Sequence, residues 1–336
     1  MVEITPANAR QWSRLGSRGV FGQAILALAE TKQDLMVLSA DLGNSSGLDR
    51  FRKAYPDKFL NVGVAEQNMI GVAAGLAREG FVTFATSFAP FISMRCGDQV
   101  RMNLGYMNLN VKAVAIGSGV AMAHLGNSHY GIEDAAVMRS VPNITVVSPA
   151  DCAEIFKAVF AAAEFPGPMY IRLTGAANNP VVYNEDYEFQ IGKAITLRNG
   201  SDVMLIACGS MVFESLEAAK CLEQVGISAA VVNMHTLKPL DTSVIDEAIA
   251  NVPLIVTVEE HSVIGGLGSA VAEYKTTIRN APPQLILGFP DKFGKSGEYR
   301  YLLEKYHLTG AHIANSVREA IAPPVACSQK HSSVST

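Results

Sequence analysis

No two cysteines in this chain are spaced for a metal or for a disulfide framework. There are five in 336 residues (Cys96, Cys152, Cys208, Cys221 and Cys327), with no Cys-x-x-Cys pair and no His-linked metal spacing. They read as reduced, mostly buried thiols of a cytoplasmic protein. Charge is also scarce. Charged residues make up 17% of the chain, the net formal charge is −4, and no long basic run is present, so nothing argues for nucleic acid. Long apolar runs are missing as well. The longest, Met69 to Ala77, is too short to span a bilayer, and the N-terminal residues lack a signal-peptide pattern, so no membrane role is expected. Repeats of solenoid type are absent. What is abundant is hydrophobic residues, at 49%, a level that suits buried parallel sheets or a large subunit interface. The length allows two domains, each with its own core.

Apolar runs alternate with helical patterns. Strands are expected at Leu35–Ala40, Phe81–Ala85, Val111–Ile116, Ile144–Ser148 and Met169–Leu173. Between them, helices are expected near Val20–Thr31, Glu66–Arg78, Ser93–Leu104, Ile132–Arg139 and Cys152–Phe165. That rhythm is α/β, with a mostly parallel sheet covered on both faces. "GAANNPVVYNEDYEF" breaks it with turn formers and acids, so residues 1–174 are expected to form one domain and 175–190 a linker. A second doubly wound α/β domain is expected over 191–322. Its strands are Val203–Ala207, Ala229–Asn233, Leu254–Val258 and Leu285–Gly288, and its helices lie near Ser210–Val225, Val244–Ala250 and Leu267–Ile278. The Pro- and Ser-rich tail, 323–336, is expected to fray.

One helical stretch, "FLNVGVAEQNMIGVAAGLAREG", holds a lone carboxylate, Glu66, among apolar Val62, Val64, Ile70, Val72 and Leu76. Glu66 fits a solvated first-turn residue, which the helix dipole favours. It fits equally a carboxyl kept in a low-dielectric site to share a proton with a ligand. Gly71 and Gly75 form a small-residue stripe that would let another helix come close. Other polar residues follow predicted strands: Asp41 in "MVLSADLGNSS", His124 and His129 in "GSGVAMAHLGNSHYGIED", and Asp151 after "VVSPA". Ligands of open α/β sheets bind beyond the carboxyl ends of strands. Asp151 is most simply the N-cap of the next helix, and Glu133 and Asp134 suit a helical first turn. His129 lies in a Gly-punctuated loop with no core periodicity, which favours function. Phe88 and Phe91, three apart after a strand, offer either a stacking platform or a core contact. "EEHSVIGGLGSAV" resembles a phosphate cradle, but Val271 stands where the third glycine should be, so it reads as a tight strand-to-helix turn.

"SADLGNSS", "NVGVAEQNMIGVAAGLAREG", "TSFAPF", "SHYGIEDAAVMRSVPNITVVSPAD" and "VEEHSVIGGLGSAV" occur in the order of the C-terminal half of transketolases. From about Arg18 to Ala322 the chain resembles the pyrimidine-binding and C-terminal domains of that thiamine-diphosphate-dependent family. Deoxyxylulose-phosphate synthases and the β subunits of 2-oxoacid dehydrogenases share much of the pattern. The resemblance implies that Glu66 hydrogen-bonds ring nitrogen N1′ of the cofactor's aminopyrimidine and activates it. It implies that Phe88 and Phe91 line the pyrimidine pocket, that Asp41 lies near the cofactor, and that His129 faces the substrate.

A GDG followed by Asn-Asn, the family's diphosphate and metal motif, is absent. The chain therefore resembles one subunit of a split transketolase. It implies a partner subunit that holds the diphosphate and Mg²⁺ (or Ca²⁺), in an α2β2 assembly. Such an enzyme moves a two-carbon ketol unit from a ketose to an aldehyde. Arg18 and Ser45 match positions that hold the sugar phosphate. Gly117 and Gly175, however, stand where the family carries a histidine and an arginine, and His124 and Leu125 where it carries two acids. Either the sugar is a modified one, or His124, Arg95 or Arg172 supplies the charge from another direction. Two other readings stand beside this one: the β subunit or synthase chemistry just named, and a non-catalytic interaction subunit that keeps only the fold.

Overall fold

Strands that run apolar on both faces need cover on both sides, and this chain supplies it twice. The computed structural model describes residues 3–322; Cys327 and the fraying expected over 323–336 lie outside the described residues. The first half contains α1 (Pro6–Leu28), β1 (Leu35–Ser39), α2 (Asp49–Ala54), β2 (Phe59–Asn61), α3 (Glu66–Arg78) and β3 (Val82–Phe88). It continues with α4 (Gly97–Gln99), β4 (Val111–Ile116), α5 (Asp134–Ser140), β5 (Thr145–Val147), α6 (Cys152–Glu164) and β6 (Met169–Leu173). Every residue of β3, β4 and β6 is buried. Even Lys112 of β4 is enclosed, its ammonium donating to the carbonyls of Phe165 and Gly167 at 2.6 Å. Burial alone pulls that amine down to about 7.

The second half adds β7 (Ile195–Arg198), β8 (Val203–Ala207), α7 (Met211–Glu223), β9 (Ala229–Asn233), β10 (Thr236–Lys238) and α8 (Thr242–Asn251). β11 (Ile255–Ser262), α9 (Leu267–Lys275), β12 (Gln284–Phe289), α10 (Tyr299–Lys305) and α11 (Gly310–Ile321) complete it. The strands form a seven-stranded sheet, β10-β5-β6-β4-β3-β1-β2, and a five-stranded one, β12-β11-β8-β9-β7. Among the described strands, only the outermost β10 and β7 run antiparallel to their neighbours. The expected α/β architecture with two mostly parallel sheets is therefore present. β10 crosses over: it follows β9 in sequence yet pairs with β5 of the first sheet, Thr236 opposite Val147. Residues 175–194 carry no helix or strand.

Several local expectations need correction. β3 extends to Phe88 because it pairs along its length with β4, Phe88 opposite Ile116. Phe88 thus ends a strand rather than following one. The helix expected over Ser93–Leu104 is instead π-helical at Phe91–Arg95 and Val100–Tyr106, with α4 between. Val64 is 78% exposed rather than packed, and a Cβ on Gly71 or Gly75 would touch nothing in this chain. α1 begins well before Val20, with Pro6 at its first turn and a reciprocal cap between Thr5 and Asn8. It breaks at Gly16, whose φ of 74° is left-handed and whose missing side chain lets Ala177 approach. Among the described residues, no helix is long and apolar enough to cross a membrane.

Candidate active site

The carboxyl ends of β1, β3 and β4 and the first turn of α3 bring most of the candidate residues to one edge of the large sheet. Glu66, the first residue of α3, is 4% exposed. Its Oε1 accepts from the Ser87 hydroxyl at 3.3 Å and its Oε2 from Arg95 Nη1 at 2.8 Å. It is not a solvated cap. The same Arg95 guanidinium lies over the Phe91 ring, its Cζ 4.0 Å from the centroid. The Arg95 carbonyl accepts from the Gln67 side chain at 3.1 Å, so the first turn of α3 grips Arg95 at both ends.

Phe88, Phe91 and His129 form a mutual edge-to-face cluster. The two phenyl centroids are 5.9 Å apart, and the imidazole is 5.3 Å from Phe88 and 5.2 Å from Phe91. These are distances at which aromatic quadrupoles attract. His129 Nδ1 meets the Ser128 hydroxyl at 2.9 Å. Burial, and then the positive charge of Arg95, hold His129 below the ordinary imidazole range, so it is neutral at pH 7. Loop 117–131 carrying it is pinned at its base, where Gly119 and Gly131 pair as an isolated bridge. The second half of the chain fixes it further. Glu260 of β11, fully buried, accepts from the Val120 N–H at 2.7 Å, and Asn127 exchanges hydrogen bonds with Gly294.

Asp41 lies at the end of β1 with a φ of 60°, unusual for a residue with a side chain. Asn61, at the end of β2, holds it there: the Asn61 amide donates to Asp41 Oδ1 at 3.0 Å and accepts from the Asp41 N–H at 2.9 Å. Asn61 carries no catalytic signature of its own and was not singled out by sequence. Ser45 meets Arg18 through its carbonyl, which accepts from Arg18 Nη1 at 3.3 Å. Two glycines bring them together, since a Cβ on Gly22 would overlap the Gly47 carbonyl and the loop could not reach α1.

Arg18 and His124 line a cavity of about 450 Å³ with Gly16, Ser17, Gly117 and Gly175. The glycines at 117 and 175 have φ of 68° and 78°, and a Cβ on either would strike Met122 or Asn179. Of the three proposed charge donors only His124 reaches this cavity. Arg95 pairs with Glu66 over the Phe91 ring and is not on the wall of this cavity. Arg172 is enclosed, its Nε 2.8 Å from Asp134 Oδ2 and its Nη2 donating to the carbonyls of Gly131 and Glu260. Burial pushes Asp134 up, but the adjacent Arg172 outweighs it and holds the carboxyl below its usual range. The cavity has instead a cation that sequence reasoning missed, Arg300 of α10, beside Glu298 and Tyr299.

Two local readings hold. Asp151 caps α6 by accepting from the Glu154 N–H at 2.8 Å. The Gly265–Gly268 turn is no phosphate cradle, since the Glu259 carboxylate itself accepts from the N–H groups of Leu267 and Gly268 at 2.7 and 2.8 Å. Cys96, Cys152 and Cys208 are free and buried, and Cys221 is partly so.

A family model described as "Transketolase, pyrimidine binding domain" matches residues 14–179, and one described as "Transketolase, C-terminal domain" matches 192–313. A Methanocaldococcus jannaschii protein named as a transketolase C-terminal section is 40% identical over 90% of this chain and 96% of its own length. A 6-deoxy-6-sulfo-D-fructose transketolase subunit from Clostridium sp. is 41% identical over 90% of this chain and 93% of its own. Among solved structures, a split-gene transketolase recorded as an inactive β4 tetramer superimposes with a TM-score of 0.82 at 42% identity. That match covers 91% of this chain and 97% of the other.

Proposed function

The chain belongs to the transketolase family, and from that premise we propose that it is the pyrimidine-side subunit of a two-subunit transketolase. Its transketolase-type function is a transferase one, and the family implies dependence on thiamine diphosphate. A partner, the diphosphate-binding subunit, is supported by relatives of matching length that are themselves named as sections or subunits, and we assign the two to an α2β2 complex. The diphosphate and its Mg²⁺ (or Ca²⁺) are assigned to that partner. We take residues 1–174 and 191–322 as the two domains joined by 175–190, with β10 lent from the second to the first, and the cytoplasm as the compartment.

The observation that carries this reading is the Arg95 guanidinium, a planar group donating to buried Glu66 while lying on Phe91. A slot that takes a flat nitrogenous group in that way fits an aminopyrimidine. When bound, thiamine diphosphate supplies the carbanion-stabilising centre on which a two-carbon unit is carried. Glu66 offers the ring a carboxyl shielded from bulk water, through which a proton is held at the ring nitrogen. Phe91, with Phe88 behind it, stacks on the ring and excludes water. Asp41, held by Asn61, borders the cofactor. His129, neutral and braced by both phenyl rings, faces the sugar and can donate to or accept from its oxygens. Arg18, Ser45 and His124 bind the far end of the sugar, a phosphorylated or modified ketose.

The test is reconstitution. The chain alone should bind thiamine diphosphate weakly with or without Mg²⁺ and show no turnover, as calorimetry and a ketol-transfer assay would report. Joined to its partner it should be active, and Glu66→Gln should slow exchange of the cofactor's C2 hydrogen by about 10²–10⁴-fold while the fold survives. Tight metal-dependent binding by the chain alone would sink the split-subunit reading; near-normal exchange in Glu66→Gln would sink the assignment of Glu66.

A further inference from the structure

The cavity beside the aromatic cluster has walls from both halves of the chain, and the second half brings a guanidinium to it. Arg300 lines the same cavity as Arg18, His124, Gly117 and Gly175. Its Nη1 donates to Glu214 of α7 at 2.5 Å, and its Nε lies 3.9 Å from Glu304. Glu214 is 4% exposed, and its other oxygen accepts from the Gly310 N–H at 2.7 Å. A buried, doubly bonded carboxylate is a rigid post. It fixes one edge of the Arg300 fork, and no other hydrogen bond from that side chain is made among the described residues. Arg300 itself is half exposed, at 54%.

We propose that Arg300 is a specificity-determining residue that, together with Arg18, binds a terminal anionic group, phosphate or sulfonate, on the ketose. The inference rests on the transketolase reading and deepens it by adding a residue from the second half of the chain that reads the far end of the sugar. Gly117 and Gly175 leave room without supplying charge, and their backbone conformations leave no place for the missing donors. Arg18 and Arg300 are the two guanidinium groups of the cavity wall, and Glu298 is the one carboxylate on it. A tetrahedral oxyanion accepts from two guanidinium forks at once, a match in geometry as well as sign. The Glu298 carboxylate repels an anion that the arginines do not pair, so it disfavours loosely bound anions. The C-terminal half thereby acquires a role in choosing the substrate, beyond bracing loop 117–131.

The experiment compares kcat/KM of the reconstituted enzyme for a terminally phosphorylated or sulfonated ketose and for a short uncharged ketose. Arg300→Gln should lower the value for the anionic ketose about 10- to 100-fold, chiefly through KM, and leave the uncharged one within about threefold. Arg300→Lys should restore part of the loss, and Glu298→Gln should lower KM for the anionic donor. Equal losses on both donors, or no loss on either, would overturn the proposal. If no ketose at all is turned over, the transketolase reading fails separately. Titration of the chain with inorganic phosphate, followed by phosphorus NMR, then decides the anion site. Line broadening abolished in Arg300→Gln supports it, and broadening that is unchanged or never present overturns it.

Discussion

Arg172 and Arg95 each meet a buried carboxylate at 2.8 Å, yet their surroundings differ in every other respect. Arg172 and Asp134 are both fully enclosed, and Arg172 also ties Gly131 of the first half to Glu260 of the second. Arg95 is 45% exposed, and its flat face rests on an aromatic ring rather than on backbone. The first pair cannot exchange its partner without opening the molecule. The second can, because water or a ligand edge can replace the guanidinium at Glu66. Enclosure, not the identity of the ions, separates a fixed strut from a displaceable contact.

The sharpest way to break this contrast is to remove the enclosed cation. Arg172→Leu strands Asp134 without a counter-charge, and the loss should be about 3–5 kcal/mol in denaturant unfolding. Arg172→Leu with Asp134→Leu should recover part of it, because no charge is then stranded, although the Tyr170 hydroxyl and the Gly131 and Glu260 carbonyls lose their partners. A single-variant loss under about 1 kcal/mol would show that the enclosed pair is not a strut.

A carboxylate sealed without any cation sharpens the comparison from the other side. Glu154 of α6 accepts from the Ala150 N–H at 2.6 Å, the Asn233 amide at 2.9 Å and the Tyr187 hydroxyl at 3.0 Å. Burial outweighs those bonds and pushes it up to about 7. A raised carboxyl favours the folded state when protonated. Its contribution is therefore fully present below about 4.5 and is lost as pH rises through about 7, at most about 3 kcal/mol. The difference in Tm between the protein and Glu154→Gln should change between about pH 4.5 and 7 and level off above that. His235, held down to about 4 by burial, opposes this trend in both proteins and cancels in the difference. A flat difference would contradict the assignment.

The smallest effect belongs to Arg95. Arg95→Ala should shift stability by about 1 kcal/mol or less, since water enters the vacated slot and resolvates Glu66. A loss as large as that of Arg172→Leu would erase the distinction between the two pairs.

How much of this was legible in the sequence varied with the range of the causes. α3 and its lone carboxylate were readable because apolar period and charge are local. The start of α1 was also written locally, in Thr5, Pro6 and Asn8, but the break at Gly16 hides the continuity of that helix. Phe88, Phe91 and His129 could be tied together only through family resemblance, because no spacing rule joins residues 88 and 129. The true extent of β3 depends on its partners β1 and β4, which no window sees. Arg300 lay beyond reach for the same reason. It is an exposed residue of a seven-residue helix, without motif, brought to Arg18 only by the packing of one half on the other.

β10 carries a consequence for how the molecule can be cut. It caps the β5 edge of the large sheet, yet it is encoded beyond the element-free stretch 175–194, between two elements of the other half. A chain severed near residue 190 would leave its first fragment with β5 bare, a row of unpaired amides and carbonyls ready to recruit strands from other molecules. The second fragment would keep a three-residue ribbon with nothing to pair against. The halves are thus interlocked like a clasp, and should melt in calorimetry as one cooperative block rather than as beads on a string.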